Sequence, residues 1–233
     1  MAGLRGNVAM VTSGVQYAVF IIFTGIMWIF IDRTSRRMLL VVGALGMGFC
    51  HFVVGGTMGA HSVQVPGGVD GNPNITFSVN PGNPANTVIV FSYLLIVVYA
   101  LTLAPVCWIY AAEVWSLGTR ATGMSMAAMS NWVFNFALGM FTPPAFINIE
   151  WKLFIVFGVL CLAAAAWFFV FFPETCGKTL EEVELMFSKD GPHPWNTRKG
   201  ESRLEAEIEA VIARKLADPA DRVVETHEVP EKV

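Results

Sequence analysis

Gln16, Tyr99, Trp108, Asn131 and Asn135 stand inside otherwise apolar stretches of the chain. Tyr17 adjoins Gln16, and Asn131 and Asn135 are four residues apart, which puts them on one face of a helix. Amides donate to and accept from hydroxyl groups, while indole and phenol rings offer flat apolar surfaces. A cavity lined by such groups suits a neutral polyol such as a sugar. It does not suit a phosphate or a metal, because no cationic cluster and no metal-ligand grouping lies in these stretches. At each position the structural alternative is that the asparagines tie helices together and the tryptophans fill packing space.

A second set of residues is ionic. Asp32-Arg33-Thr34-Ser35-Arg36-Arg37 joins two apolar stretches, Glu113 and Arg120 form an E-x6-R arrangement across another short connection, and Glu174 follows the last stretch in Pro173-Glu174-Thr175-Cys176-Gly177. Opposite charges gathered at one face of a membrane can hold helix bundles together in one state and release them in another, so Asp32, Arg36, Arg37, Glu113, Arg120 and Glu174 are candidate gating residues. The alternative is that the arginines only set orientation and the carboxylates are solvated. No nucleophile–base pair accompanies either set, which argues against an enzyme.

The elements that position these residues follow from composition. At 55% apolar, 14% charged and a mean hydropathy of +0.56, the 233 residues lie outside the usual soluble range. Five stretches are long enough to cross a bilayer as helices, at about 8–31, 38–59, 87–110, 122–141 and 151–172. The apolar body 1–172 is therefore membrane-embedded, and 173–233 is a polar tail. Only Arg5, Arg33, Arg36, Arg37, Arg120 and Lys152 of the 15 Lys and Arg precede Pro173, and only Asp32, Asp70, Glu113 and Glu150 of the 18 acids do. The acidic balance behind the net charge of −3 thus lies in the tail, and it gives no reason to invoke nucleic acid. Cys50, Cys107 and Cys161 lie in apolar runs with Cys176 just beyond, a spacing that reads as packing rather than disulfides. The first apolar run is too long for a cleaved signal peptide.

Orientation follows from the connections. The arginine-bearing turns at 32–37 and before Arg120 are predicted to face the cytoplasm, and the Lys- and Arg-free loops 60–86 and 142–150 the outside. That places the tail in the cytoplasm. Loop 60–86 is rich in Gly, Pro and Asn, and contains Asn74-Ile75-Thr76, an N-glycosylation pattern, on the outer side. An odd number of spans beginning outside departs from the paired-repeat logic of transporters, so Met1 is expected to be an internal methionine.

With these residues in view, the chain resembles the sugar porter family of the major facilitator superfamily. Asp32–Arg37 matches the family's D-R-x-G-R-R, Pro105…Trp108…Glu113…Arg120 its P-x-x-W…E…R, Asn131-Trp132-Val133-Phe134-Asn135-Phe136 its N-W-x-x-N-F, and Pro173–Gly177 its P-E-T-K-G. The order and spacing also match, over Val8 to about Phe187, and the details look most like fungal hexose porters. The resemblance implies an all-α fold of twelve helices, of which this chain matches helices eight to twelve. It implies that Trp108 packs on sugar near the inner gate, that Gln16, Tyr99, Asn131 and Asn135 line the cavity, and that the six charged residues form the cytoplasmic network. Ser35 departs from the family glycine, Cys176 from its lysine, Ala104 from a glycine, and Phe20 stands where many relatives have asparagine.

The tail reads as short amphipathic helices at 178–187 and 201–216, the latter with Leu204, Ile208, Ile212 and Leu216 at i, i+4 spacing. The function expected is alternating-access movement of a sugar such as a hexose across the plasma membrane. Its partners are the bilayer, the remaining N-terminal helices, and protons as a candidate coupling ion; no cofactor is implied. Without those helices the chain is expected to be inactive. A sugar sensor of the same fold, or a porter for another polyol or a quinate-like substrate, remains the alternative.

Overall fold

A computed structural model describes residues 7–65, 77–187, 193–197, 199–200, 208–210 and 213. The chain is mainly helical: α1 (Asn7–Phe30), α2 (Arg36–His61), α3 (Asn83–Leu101), α4 (Leu103–Glu113), α5 (Arg120–Asn148), α6 (Lys152–Phe171) and the short α7 (Leu180–Met186). Four helical stretches, Val11–Arg33, Arg36–His61, Asn83–Glu113 and Lys152–Phe171, are long and apolar enough to cross a membrane. Helix α5 has the length but is diluted by Ser125, Ser130, Asn131, Asn135, Thr142 and Asn148. Five spans in the sequence are therefore four apolar ones and a fifth that carries polar groups.

Helix α2 is the hub, with its broadest packing against α6 and then α3. Small residues permit the approach: a Cβ at Gly158 would meet the Phe52 ring at 3.0 Å, and one at Gly43 would overlap the Thr102 hydroxyl. One apolar cluster (Val54, Met58, Val79, Ala85, Val88) fills one end of the bundle, with Trp151 and Phe154 against it. Another (Met27, Ile31, Leu40, Val106, Tyr110) fills the arginine-bearing end. Helices α1 and α5 bury little. Trp28, Trp132 and Phe136 are each more than 70% exposed.

The details refine the sequence expectation in three places. The third span is broken, as Pro105 leads one to expect, but the break falls earlier than the proline itself: α3 and α4 meet at Thr102 (φ −126°, ψ −87°), three residues before Pro105. Proline removes the N–H that would bond the carbonyl four residues earlier, so the defect falls on the turn preceding it. Within loop 60–86, Ser62–Gln64 (β1) pairs antiparallel with Phe77–Val79 (β2), Ser62 opposite Val79. Val63 and Val79 are β-branched residues suited to a strand, and Val79 is buried. Finally, α5 runs through Pro143 and Pro144 to Asn148, so that the connection to α6 is only Ile149–Trp151, turned by Glu150 at φ +50°. In the tail, α7 opens with a reciprocal cap: Thr179 N–H donates to Glu182 and Glu182 N–H to the Thr179 hydroxyl. The helix read at 201–216 and the sequon at Asn74 lie outside the described residues, apart from helical 208–210 and 213.

Candidate functional site

Between α1 and α3 lies a cavity of about 400 Å³ lined by Ser13, Gln16, Tyr17, Phe20, Ile96 and Tyr99. Phe20 and Tyr99 stack across it with ring centroids 5.9 Å apart and planes 20° from parallel. The Tyr93 hydroxyl donates to the Thr12 carbonyl at 3.1 Å, fixing α1 against α3 nearby. The volume falls in the range of small-molecule sites, and one amide, two phenols and a hydroxyl supply polar contacts among apolar walls. Gln16 and Tyr99 are thus brought together. Trp108, Asn131 and Asn135 do not line this cavity.

Trp108 stands on α4, 46% exposed. Asn135 Nδ2 donates to the Asn131 backbone carbonyl at 2.8 Å and to Asn131 Oδ1 at 3.2 Å, so each asparagine orients the other on an exposed face of α5. The pair bridges no two helices here, which leaves oxygen and nitrogen positions open to a ligand or another helix. Sequence reasoning missed Ser13 and Ile96, although both lie one helical turn from residues it named.

The ionic set gathers at the opposite end of α1. Buried Arg36 pairs with Glu113 at 3.0 Å and with Asp32 at 3.5 Å, while its Nη1 donates to the Ile31 carbonyl (3.3 Å) and to Cys176 Sγ (2.9 Å). Thr175 Oγ1 donates to the other Glu113 oxygen at 2.6 Å. Glu174 behaves differently. Only 2% exposed, it accepts from the backbone N–H of Arg36 (2.9 Å), Arg37 (3.3 Å) and Cys176 (3.0 Å) and from the Ser35 hydroxyl. Its carboxylate closes the start of α2, where unpaired N–H groups and the helix dipole favour an anion. Among the described residues it meets no guanidinium, and its partners are backbone N–H groups and a hydroxyl. Arg37 donates to the Phe169 carbonyl at 2.6 Å and lies over the Phe169 ring at 4.8 Å. Arg120 forms no ion pair with Glu113, and its Nε is buried without a hydrogen-bond partner among the described residues. Asp32, with an 88% exposed side chain, and Arg33 are left facing outward.

Comparison with known proteins decides the lineage. A family model described as "Sugar (and other) transporter" matches residues 1–187. The chain belongs to the sugar porter family of the major facilitator superfamily. A high-affinity glucose transporter of Kluyveromyces lactis is 41% identical over 199 residues, 84% of this chain and 36% of that protein. High-affinity glucose transporter 1 of Candida albicans is 35% identical over 217 residues, 93% of this chain and 40% of the relative. The chain therefore spans well under half the length of these relatives. Among solved structures, the inward-open xylose transporter XylE from E. coli superposes with a TM-score of 0.61 at 22% identity, over 76% of this chain and 35% of that one. A crystal structure of a D-xylose-proton symporter gives 0.62 at 20% identity, over 76% and 37%. These likenesses carry the fold: the sugar porter is an integral membrane protein with helices of the major facilitator type.

Proposed function

We propose that this sugar porter chain contributes the C-terminal bundle to alternating-access transport of a monosaccharide, with the sugar held against α1 and α3. The observation that carries the reading is the Gln16–Tyr99 cavity, whose amide and phenol groups are arranged for hydroxyls and whose Phe20 and Ile96 walls suit the apolar face of a ring. The relatives named as glucose transporters support a hexose as the first substrate to test. Trp108, Asn131 and Asn135, exposed on α4 and α5, form the facing half of the pathway, and a second bundle completes it. Alternating access requires two bundles rocking around a site between them, so the activity belongs to an assembly larger than these helices.

In this reading the arginine-bearing end and the tail are cytoplasmic, loop 60–86 faces outside, and the membrane is the plasma membrane. The Arg36–Glu113 pair and the capped α2 start form a rigid unit, and the outward-facing Asp32 and Arg33, with Arg120, are the charges that engage the second bundle at the gate.

The test joins the chain to the part of the Kluyveromyces lactis transporter that its match leaves uncovered, in cells lacking hexose uptake. Uptake by the chimera should be saturable and stereospecific, and Gln16→Ala should raise the KM about tenfold, as expected for a lost hydrogen bond of roughly 1–1.5 kcal/mol. Unchanged KM in the variant would remove Gln16 from the site. Sugar-dependent alkalinisation of a weakly buffered medium reads proton coupling in the same cells.

A further inference from the structure

The tail does not simply run away from the bundle after α7. Residues His193–Thr197, Lys199 and Gly200 return to the arginine-bearing end of the bundle, where the 3-10 turn Pro194–Asn196 rests against α6. Thr197 is buried, and its hydroxyl does two things at once: it accepts the backbone N–H of Glu174 at 2.8 Å and donates to the Pro194 carbonyl at 2.6 Å. The Gly200 N–H donates to the Cys176 carbonyl at 3.3 Å, with Gly200 at φ +72° allowing the turn. Lys199 Nζ reaches the Arg33 carbonyl on the loop before α2. One short piece of tail thus touches both sides of the ionic cluster, the segment after α6 and the loop between α1 and α2.

We infer that this piece is a strap, latched by Thr197, that fixes the Glu174 carboxylate at the start of α2 and so couples the tail to the order of the arginine cluster. The coupling runs through one residue. Glu174 is held on its main chain by the tail, through the Thr197 hydroxyl, and on its side chain by α2, through Ser35, Arg36 and Arg37. Its N–H is buried, so release of the strap leaves that donor unpaired unless the 174–177 segment shifts to find water. A shift of the main chain withdraws the carboxylate from the first turn of α2 and, through the Cys176 and Thr175 contacts, loosens Arg36 and Glu113. A signal that undocks the tail would therefore act on the gate without touching the sugar site. The inference rests on the gating reading for that consequence, but not for its test.

The test is amide hydrogen exchange on the purified full chain in detergent, comparing wild type with Thr197→Val and Thr197→Ser. Valine has nearly the shape of threonine without the hydroxyl, whereas serine keeps it. In Thr197→Val the amides of Glu174, Cys176, Arg36 and Arg37 should exchange about 10- to 100-fold faster, while the amides around Val54 and Met58 at the far end of α2 keep their protection. Thr197→Ser should exchange close to wild type. The strap is overturned if Thr197→Val speeds exchange only within 193–200, or if both variants behave alike. Loss of protection throughout α2 and α6 would also count against it, because it would show global unfolding rather than a local latch. If the cluster loosens in Thr197→Val yet the chimera carrying it takes up sugar at the wild-type rate, the gating reading fails and the strap stands.

Discussion

Glu174→Gln separates a helix cap from an ion-pair partner. The carboxylate takes four donors: Oε1 receives the N–H of Arg36 at 2.9 Å and of Cys176 at 3.0 Å, and Oε2 receives the Ser35 hydroxyl and, at 3.3 Å, the Arg37 N–H. In the glutamine variant one of these positions becomes an amide NH2 facing donors. The Oε2 side costs less, since a hydroxyl can rotate and the Arg37 bond is already long. The remaining bonds lose their charge assistance, and the helix start loses its anion, an effect of up to about 2 kcal/mol where partly buried. The sum is about 2–3 kcal/mol. Removing every acceptor in Glu174→Ala raises the loss to about 3–5 kcal/mol, in line with uncompensated buried partners. Arg37→Ala spares the Arg37 N–H and removes only the Phe169 contacts, so its cost stays below about 1.5 kcal/mol. At roughly 2–4 °C per kcal/mol for a chain of this size, thermal unfolding in detergent followed by circular dichroism should place Glu174→Gln about 4–12 °C below wild type. A midpoint within about 1 °C of wild type, or a larger drop in Arg37→Ala than in Glu174→Gln, would refute the cap.

The same melts distinguish two glycines of α2. Gly43→Ala should lose about 1–3 kcal/mol, because its Cβ overlaps Thr102 and Leu103 at the α3–α4 break, whereas Gly56→Ala, with nothing within 4 Å, should be neutral or stabilised by up to about 1 kcal/mol through helix propensity; equal effects would dismiss the close approach. Ser62→Cys in the chimera, at the first residue of β1, should react with an impermeant maleimide in intact cells, and labelling only after permeabilisation would reverse the proposed orientation.

What was legible in the sequence, and what was not, divides along a physical line. The apolar helices, the i, i+4 asparagine pair and the convergence of charges at one end are periodic or compositional, and they reappear in the structure in four long apolar helical stretches, at Asn131–Asn135 and around Arg36, although the span bounds move. Sequence-level reasoning paired side chain with side chain, so it placed Glu174 among arginines. The backbone N–H groups that bind Glu174 are common to every residue and leave no mark in the sequence. The clue was Ser35, read as a departure from a glycine yet standing at the N-cap of α2, a position where serine is favoured. Pro105 teaches a related lesson. The residue marks the broken span, but the missing hydrogen bond displaces the break to Thr102, a turn earlier, and it is there that Gly43 of α2 packs. Thr197 left no signal at all, because 23 residues separate it from Glu174 and no periodicity links them. Contacts of that kind depend on where a loop returns in space, and they become visible only when the backbone has been placed.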